Sequence, residues 1–198
     1  MVVATNFLGL NVPQSLIARN PLPCRDKSKL FITSAAHHDS FENLAHYMTS
    51  DDLVVVNDTK VQPCRLIATK KHTLGRVELL FTQQVSLCQG WAIFKASHKL
   101  RVKTLLTIGA VELEVIEQKD RQVLLKTSQP LERIFAHYGL TPLPSYMNRT
   151  AEQSDNERYQ SIWAKSKGSC AAPTASLHFT PKVLHSLQRK KVSIDYCT

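Results

Sequence analysis

Three stretches of this sequence carry residue types and spacings that suit chemistry. The first is Gly168 to Thr180, GSCAAPTASLHFT, which has no charged residue and a single imidazole, His178. Gly168, Ser169, Ala171, Ala172, Ala175 and Ser176 have almost no bulk, so a ligand or another backbone can approach the main chain closely. Thr180 followed by Pro181 has the pattern of an N-cap and a first helical residue, which would aim free N–H groups and a partial positive charge back at the loop. Together they describe a place for an anionic group. A tight loop under a helix, with His178 a satisfied core histidine, is the competing reading. The second stretch is Asn57-Asp58-Thr59, which turns out of the apolar run Leu53 to Val56. Reactive groups often stand where a buried strand meets such a turn, and an Asx side chain can equally serve only to shape it. The third runs from Lys60 to Lys103 and holds nine basic residues against one acid, Glu78. That field suits a polyanion such as RNA, and a solvated basic face fits the same charges.

The frame that must hold these stretches is globular: 198 residues with 43% apolar content support a core, in one large domain or two small ones. The formal charge of +9 comes almost entirely from the third stretch. MVVATNFLGLNVPQ has no basic leader, and no run approaches membrane-spanning length, so a soluble cytoplasmic protein is expected. Five widely spaced cysteines without a C-x-x-C pair indicate neither a disulfide framework nor zinc. His37-His38-Asp39 reads as an exposed segment before a helix, so no metal site is expected.

Periodicity assigns the elements. A short helix is expected over Asn11 to Arg19, then extended chain at Pro21 to Pro23 and a strand over Lys29 to Thr33. Asp39 and Glu42 give a D-x-x-E helix start, with Leu44, Tyr47 and Met48 on one face and an end near Ser50. Leu53 to Val56 reads as a strand buried on both faces. Short strands follow at Val77 to Thr82, Trp91 to Lys95, Leu105 to Ile108, Val111 to Glu117 and Gln122 to Lys126, with a hairpin at Lys119 to Arg121. Such a succession predicts a small barrel or sandwich. Ser128 to Tyr138 reads as a helix stopped by Gly139. Ser154 and Glu157 make a capping box for a helix carrying Tyr159, Ile162 and Trp163 and ending at Lys165 to Gly168. A last helix holds Val183, Leu184 and Leu187, and Val192 to Tyr196 reads as a buried strand. The fold class is therefore α/β, interrupted by a β domain. The boundaries are 1–62 and 149–198 for the two α/β parts and 63–148 for the insertion.

The stretch APTASLHFT, with DNERYQSIWA (Asp155 to Ala164) before it, resembles the signature of the S-adenosylmethionine:tRNA ribosyltransferase-isomerase family of the queuosine pathway. LIARNPLPCRDKSKLFI (Leu16 to Ile32), DDLVVVNDTKVQPCRL (Asp51 to Leu66), GRVELL (Gly75 to Leu80) and TPLPSYMNR (Thr141 to Arg149) are similar to further blocks of that family, in family order. The resemblance implies a split α/β domain with an inserted Greek-key β-barrel. It also implies transfer and isomerisation of the ribosyl part of S-adenosylmethionine onto 7-aminomethyl-7-deazaguanine at the tRNA wobble position, giving epoxyqueuosine-tRNA, adenine and methionine. A base at the sulfonium-activated C5′ would open the reaction, and S-adenosylmethionine is a substrate and not a resident cofactor. By this resemblance Asp58, Thr174 and His178 are the catalytic candidates, Asp58 as base or ribose holder and His178 as proton shuttle. Asn57, Thr59, Arg158, Tyr159 and Pro173 would bind substrate, Arg158 holding a carboxylate and Tyr159 either stacking a base or lying in the core. Lys60, Arg65, Lys70, Lys71, Arg76, Lys99 and Arg101 would contact tRNA.

Against the family pattern, Ser176 stands where glycine is usual, Lys60 where arginine is, and Cys64, Cys170 and Ala96 where other small or apolar residues or proline are. A positive φ at residue 176 would make the Ser176 Cβ cost on the order of 1 kcal/mol. The family chain continues beyond the Val192 to Tyr196 strand, so the sequence reads as C-terminally truncated. Two functions follow: the enzyme itself, or an inactive remnant whose basic β domain binds tRNA. The family is expected to be monomeric, and a shortened chain to self-associate through uncovered sheet.

Overall fold

The computed structural model describes residues 13–198. The helix expected over Asn11 to Arg19 begins outside the described residues, and within them it is one 3-10 turn, Gln14–Leu16. In chain order the strands are β1 (Lys29–Ile32), β2 (His37–Ser40), β3 (Leu53–Asn57), β4 (Thr59–Val61), β5 (Arg65–Lys70), β6 (Arg76–Ser86), β7 (Gln89–Ala96), β8 (Leu105–Ile108), β9 (Val111–Lys119) and β10 (Gln122–Thr127). Helices α1 (Leu131–Tyr138) and α2 (Asp155–Arg158) follow, then β11 (Ser166–Ser169), α3 (Pro181–Arg189) and β12 (Ser193–Cys197). The chain forms two compact units. One holds the chain up to Lys60 with Leu143–Ser166 and Ala172–Thr198, and the other holds Val61–Pro142 with Lys167–Ala171.

The second unit is a closed antiparallel barrel in the order β10-β7-β6-β5-β8-β9. β5, β6 and β7 form a meander and β8 returns beside β5, which is the Greek-key arrangement the resemblance implies. Period-two alternation drives closure: Val77, Leu79 and Phe81 of β6, Val111, Leu113 and Val115 of β9, and Val123 and Leu125 of β10 all point inward and are buried. Each such side chain contributes about 1.5–3 kcal/mol of burial. β5 was not foreseen, because RLIATK offers only Leu66 and Ala68 to the core, both fully buried. Helix α1 closes one end of the barrel with Leu131, Ile134 and Phe135, the last meeting Phe81 edge-on at 5.2 Å. It starts at Leu131, three residues later than expected, because Ser128 is paired with Glu112 of β9 and Pro130 sets the entry. Gly139 ends the helix, but with φ −70 and not in the left-handed region. Glycine is needed there for closeness: a Cβ would lie 2.0 Å from the Pro63 carbonyl oxygen.

The first unit is built on α3 and the parallel pair β3–β12, with Val56, Trp163, Phe179, Val183, Leu187 and Val192 at the centre of its core. α3 starts as its sequence dictates: the Thr180 hydroxyl accepts from Val183 N at 3.3 Å and Pro181 follows. Several expectations need correction. β3 is covered on one face only, since Val54 and Val56 face the core while Leu53 and Val55 are 57% and 60% exposed. β12 is mostly exposed, with only Ile194 half-buried against the core. The D-x-x-E start forms no capping box, because residues 37–40 pair with β1 as β2, and Phe41–Tyr47 is a 3-10 helix with no side-chain cap. Glu42 instead bridges Lys27 and Lys182, while Tyr47 turns outward to give its hydroxyl to Asp39. Ser154 is already in the helical region and caps nothing, and α2 ends at Arg158. Lys167 and Gly168 lie in β11, where Gly168 has φ +147, a conformation glycine tolerates. Ser176, in the 3-10 helix Thr174–His178, is not among the positive-φ residues, so its Cβ carries no backbone penalty.

Candidate active-site cavity and basic barrel end

Within the first unit, a cavity of about 570 Å³ opens between the segment Ile17–Lys29, the segment Leu143–Tyr159 and the 3-10 helix Thr174–His178. The volume falls in the usual range for small-molecule sites. Phe179, the next residue of the LHFT run, packs into the core against Phe41 and Trp163, and this registers His178 on the cavity side. The His178 ring leans on Phe41 at 5.4 Å and its Nδ1 lies 3.3 Å from the Arg25 carbonyl oxygen. A carbonyl can only accept, so in the neutral ring Nδ1 carries the proton and Nε2 the lone pair. That is the tautomer of a general base. Thr174 sits exposed on the same rim.

Tyr159 is buried beneath the cavity, where desolvation, with Tyr146 and Asp155 beside it, pushes its phenol up to about 12. It therefore stays a neutral hydrogen-bond donor at any working pH. Arg158 donates to the carbonyls of Leu22 and Pro23, the latter at 3.0 Å. Arg25 answers with bonds to the carbonyls of Gln160 at 2.8 Å and Glu157 at 3.3 Å. Arg149 grips the buried Asp155 with both terminal nitrogens at 2.6 Å, and this pair holds the Asp155 carboxyl below the usual carboxylate range. Arg25, Tyr146, Arg149 and Asp155 were not singled out from the sequence, although they lie in the blocks Leu16 to Ile32, Thr141 to Arg149 and Asp155 to Ala164. Without knowledge of which blocks converge, no pattern distinguishes them from ordinary surface charges.

Other expected residues lie elsewhere. Asn57 accepts from Thr59 N at 2.9 Å in an Asx turn. Asp58 accepts from the hydroxyls of Thr198 at 2.8 Å and Ser166 at 3.4 Å, and none of Asn57, Asp58, Thr59 or Pro173 lines the cavity. The anion place at the start of α3 is taken by the protein itself: Thr180 donates its hydroxyl to the buried Asp26 carboxylate at 2.9 Å.

On the barrel, the end opposite α1 gathers the C-terminus of β5, the N-terminus of β6, the C-terminus of β7 and the loop 97–104. Lys70, Lys71, Arg76, Lys99 and Arg101 meet there, with Lys70 Nζ reaching the His98 carbonyl at 3.5 Å and Lys71 paired with Glu112. Arg76, Lys99 and Arg101 are exposed. Arg65 starts β5 at the far end and is held by Glu78 at 2.8 Å, and Lys60 stands exposed in β4.

The family model described as queuosine biosynthesis protein matches residues 6–198. The chain belongs to this family. Among curated relatives of the queuosine family, the S-adenosylmethionine:tRNA ribosyltransferase-isomerase of Legionella pneumophila strain Paris is 40% identical over 193 residues, covering 95% of this chain and 57% of the relative. The protein of the same name from Macrococcus caseolyticus is 34% identical over 203 residues, covering 98% of this chain and 58% of the relative. The chain thus spans somewhat more than half the length of the curated relatives it matches. A solved structure, the S-adenosylmethionine tRNA ribosyltransferase of Thermotoga maritima, aligns with 94% of this chain and 55% of its own at 23% identity and a TM-score of 0.35.

Proposed function

We propose that the chain carries out, or supplies the part containing this cavity for, transfer and isomerisation of the ribosyl group of S-adenosylmethionine to 7-aminomethyl-7-deazaguanine at the tRNA wobble position. Epoxyqueuosine-tRNA, adenine and methionine are the products. The observation that carries this reading is the convergence of Arg158 and Tyr159 with Thr174 and His178 in one small-molecule-sized cavity, from two separate family blocks. His178 removes the C5′ proton through Nε2 or returns a proton to the departing adenine, held in register by the Arg25 carbonyl. Thr174 offers a hydroxyl at the rim, and Arg158 and Tyr159 position the donor. Asp58, with Asn57, Thr59 and Pro173, supplies a carboxylate and backbone for the ribose hydroxyls of a substrate reaching beyond the cavity. Opening of the sugar lets the aminomethyl nitrogen attack, and methionine leaves.

The basic end of the barrel is the tRNA contact, with Lys70, Lys71, Arg76, Lys99 and Arg101 meeting phosphates and Lys60 and Arg65 contributing from outside that cluster. Among the described residues no helix is long and apolar enough to cross a membrane, and we place the activity in the cytoplasm with its tRNA. Adenine release from S-adenosylmethionine in the presence of precursor-bearing tRNA tests the reading. His178→Gln, which preserves size, should lower release by roughly 100-fold or more. Wild-type release from that variant would remove His178 from the chemistry. Salt-dependent RNA binding by a folded wild-type sample that releases no adenine would assign RNA binding alone.

A further inference from the structure

Four arginines line the cavity; Arg19 is exposed to solvent, and the three less exposed ones are not equivalent. Arg149 is neutralised by its two-pronged bond to Asp155. Arg25 and Arg158 have no such partner: among the described residues, no carboxylate lies within ion-pair distance of either. Each is half-buried, and each spends two N–H groups on the other segment's carbonyls, Arg25 on residues 157 and 160 and Arg158 on residues 22 and 23. This exchange fixes both guanidinium planes without cancelling either charge. Their charges act on one another, so that burial together with the neighbouring Arg158 lowers Arg25 below its ordinary value. A like-charged, partly desolvated pair is costly unless an anion completes it. Of the five donors on each guanidinium three remain, enough for two-pronged recognition.

We propose that Arg25 and Arg158 together form a carboxylate receptor, and that its ligand is the carboxylate on the methionine end of the sulfonium donor. This inference rests on the donor reading of the cavity given above. A free carboxylate fits better than an RNA phosphate because the same cavity presents Leu143, Leu177 and the ring of Tyr159, the lining of a small-molecule site. Tyr146 and Tyr159 are also among the lining residues, and aromatic rings attract a positive charge such as a sulfonium.

The test compares the affinity of the chain for S-adenosylmethionine and for its decarboxylated analogue by calorimetry, in wild type, Arg25→Gln and Arg25→Lys. Wild type should prefer the carboxylated ligand by roughly 10- to 100-fold, the range for charge-assisted hydrogen bonds. Arg25→Gln should remove most of that preference while leaving the analogue within about twofold, and Arg25→Lys, which keeps charge but not the fork, should fall between. Because Arg25 also ties two segments together, melting of each variant is followed alongside, and the wild-type comparison stands alone if a variant fails to fold. Equal wild-type affinity for the two ligands overturns the receptor and leaves the donor reading intact, whereas wild-type binding of neither overturns both. Loss in Arg25→Gln of affinity for an anticodon-loop RNA, with donor affinity unchanged, also overturns the receptor and assigns the pair to phosphate.

Discussion

Replacing Asp155 by asparagine keeps its shape and removes the charge that Arg149 was folded around. Asp155 accepts three bonds, two from Arg149 at 2.6 Å each and one from Glu152 N at 2.8 Å, with its side chain 5% exposed and that of Arg149 15% exposed. In Asp155→Asn the amide oxygen would keep the Glu152 bond, but the amide NH2 group would face a guanidinium N–H, leaving a mostly buried cation unpaired. Breaking one side of a buried pair costs about 3–5 kcal/mol, and the remaining exposure of Arg149 puts this case at about 3. In urea, with a slope of about 1–3 kcal/mol/M, the midpoint should fall by roughly 1–3 M. The two tryptophans make the measurement local: Trp91 lies in β7 of the barrel and Trp163 in the core of the other unit. In a Trp91→Phe background, Trp163 fluorescence therefore reports only the unit that contains the pair. The sign with pH is fixed as well, because Arg149 holds the folded Asp155 carboxyl below its ordinary value of 3.8. The pair's contribution is complete above that value and is lost as pH falls through the lower folded value, so wild type and Asp155→Asn should converge as the solution is acidified below it. A midpoint change below about 0.3 M at pH ~7 would refute the view that this pair builds the cavity wall.

Glu42, bridged by Lys27 and Lys182, titrates at about 2 in the fold against 4.5 ordinarily, so melting temperature should fall between those pH values and Glu42→Gln should flatten that slope. Gly139→Ala would place a methyl 2.0 Å from the Pro63 oxygen and should destabilise the barrel unit by about 3 kcal/mol or more, read from Trp91 in a Trp163→Phe background. For the basic barrel end, Lys99→Gln with Arg101→Gln should reduce the slope of log affinity for tRNA against log salt by about 1.4–1.8, while Arg65→Gln, whose guanidinium is already shared with Glu78, should reduce it by less than either single change.

The barrel was legible because its strands alternate strictly, as in Val111, Leu113 and Val115 against Glu112 and Glu114, and a period of two permits one buried face. β5 escaped because Ala68 is buried without being conspicuous, and β6 and β7 ran longer than expected because polar residues such as Gln83 and Gln89 still pair in the ladder. The α/β unit was harder. LVVV can be read as buried on both faces, yet hydrophobicity does not say how many faces are covered, and β3 has β12 as its neighbour with Leu53 and Val55 facing outward. Capping signals also misled where a stronger partner competed. Glu42 was drawn to two lysines, and Ser154 already lies in the helical region, so neither expected box forms.

The same competition explains which part of the candidate site was readable. Thr180 was identified correctly as the cap of α3, but the positive end it marks is already occupied by Asp26, so the anion-binding character inferred for that loop belongs elsewhere. The proposed receptor lies instead at guanidinium groups whose charges are not neutralised, and neutralisation is a property of tertiary pairing that residue type does not reveal. Arg25, Arg149 and Arg158 are indistinguishable as letters. Only the fold gives Arg149 its carboxylate and leaves Arg25 and Arg158 facing carbonyls, and that difference directs the search for an anionic ligand to the latter two. His178 follows the same rule: its sequence neighbours bring it to the cavity, but the Arg25 carbonyl at its Nδ1 is what leaves Nε2 free to take a proton.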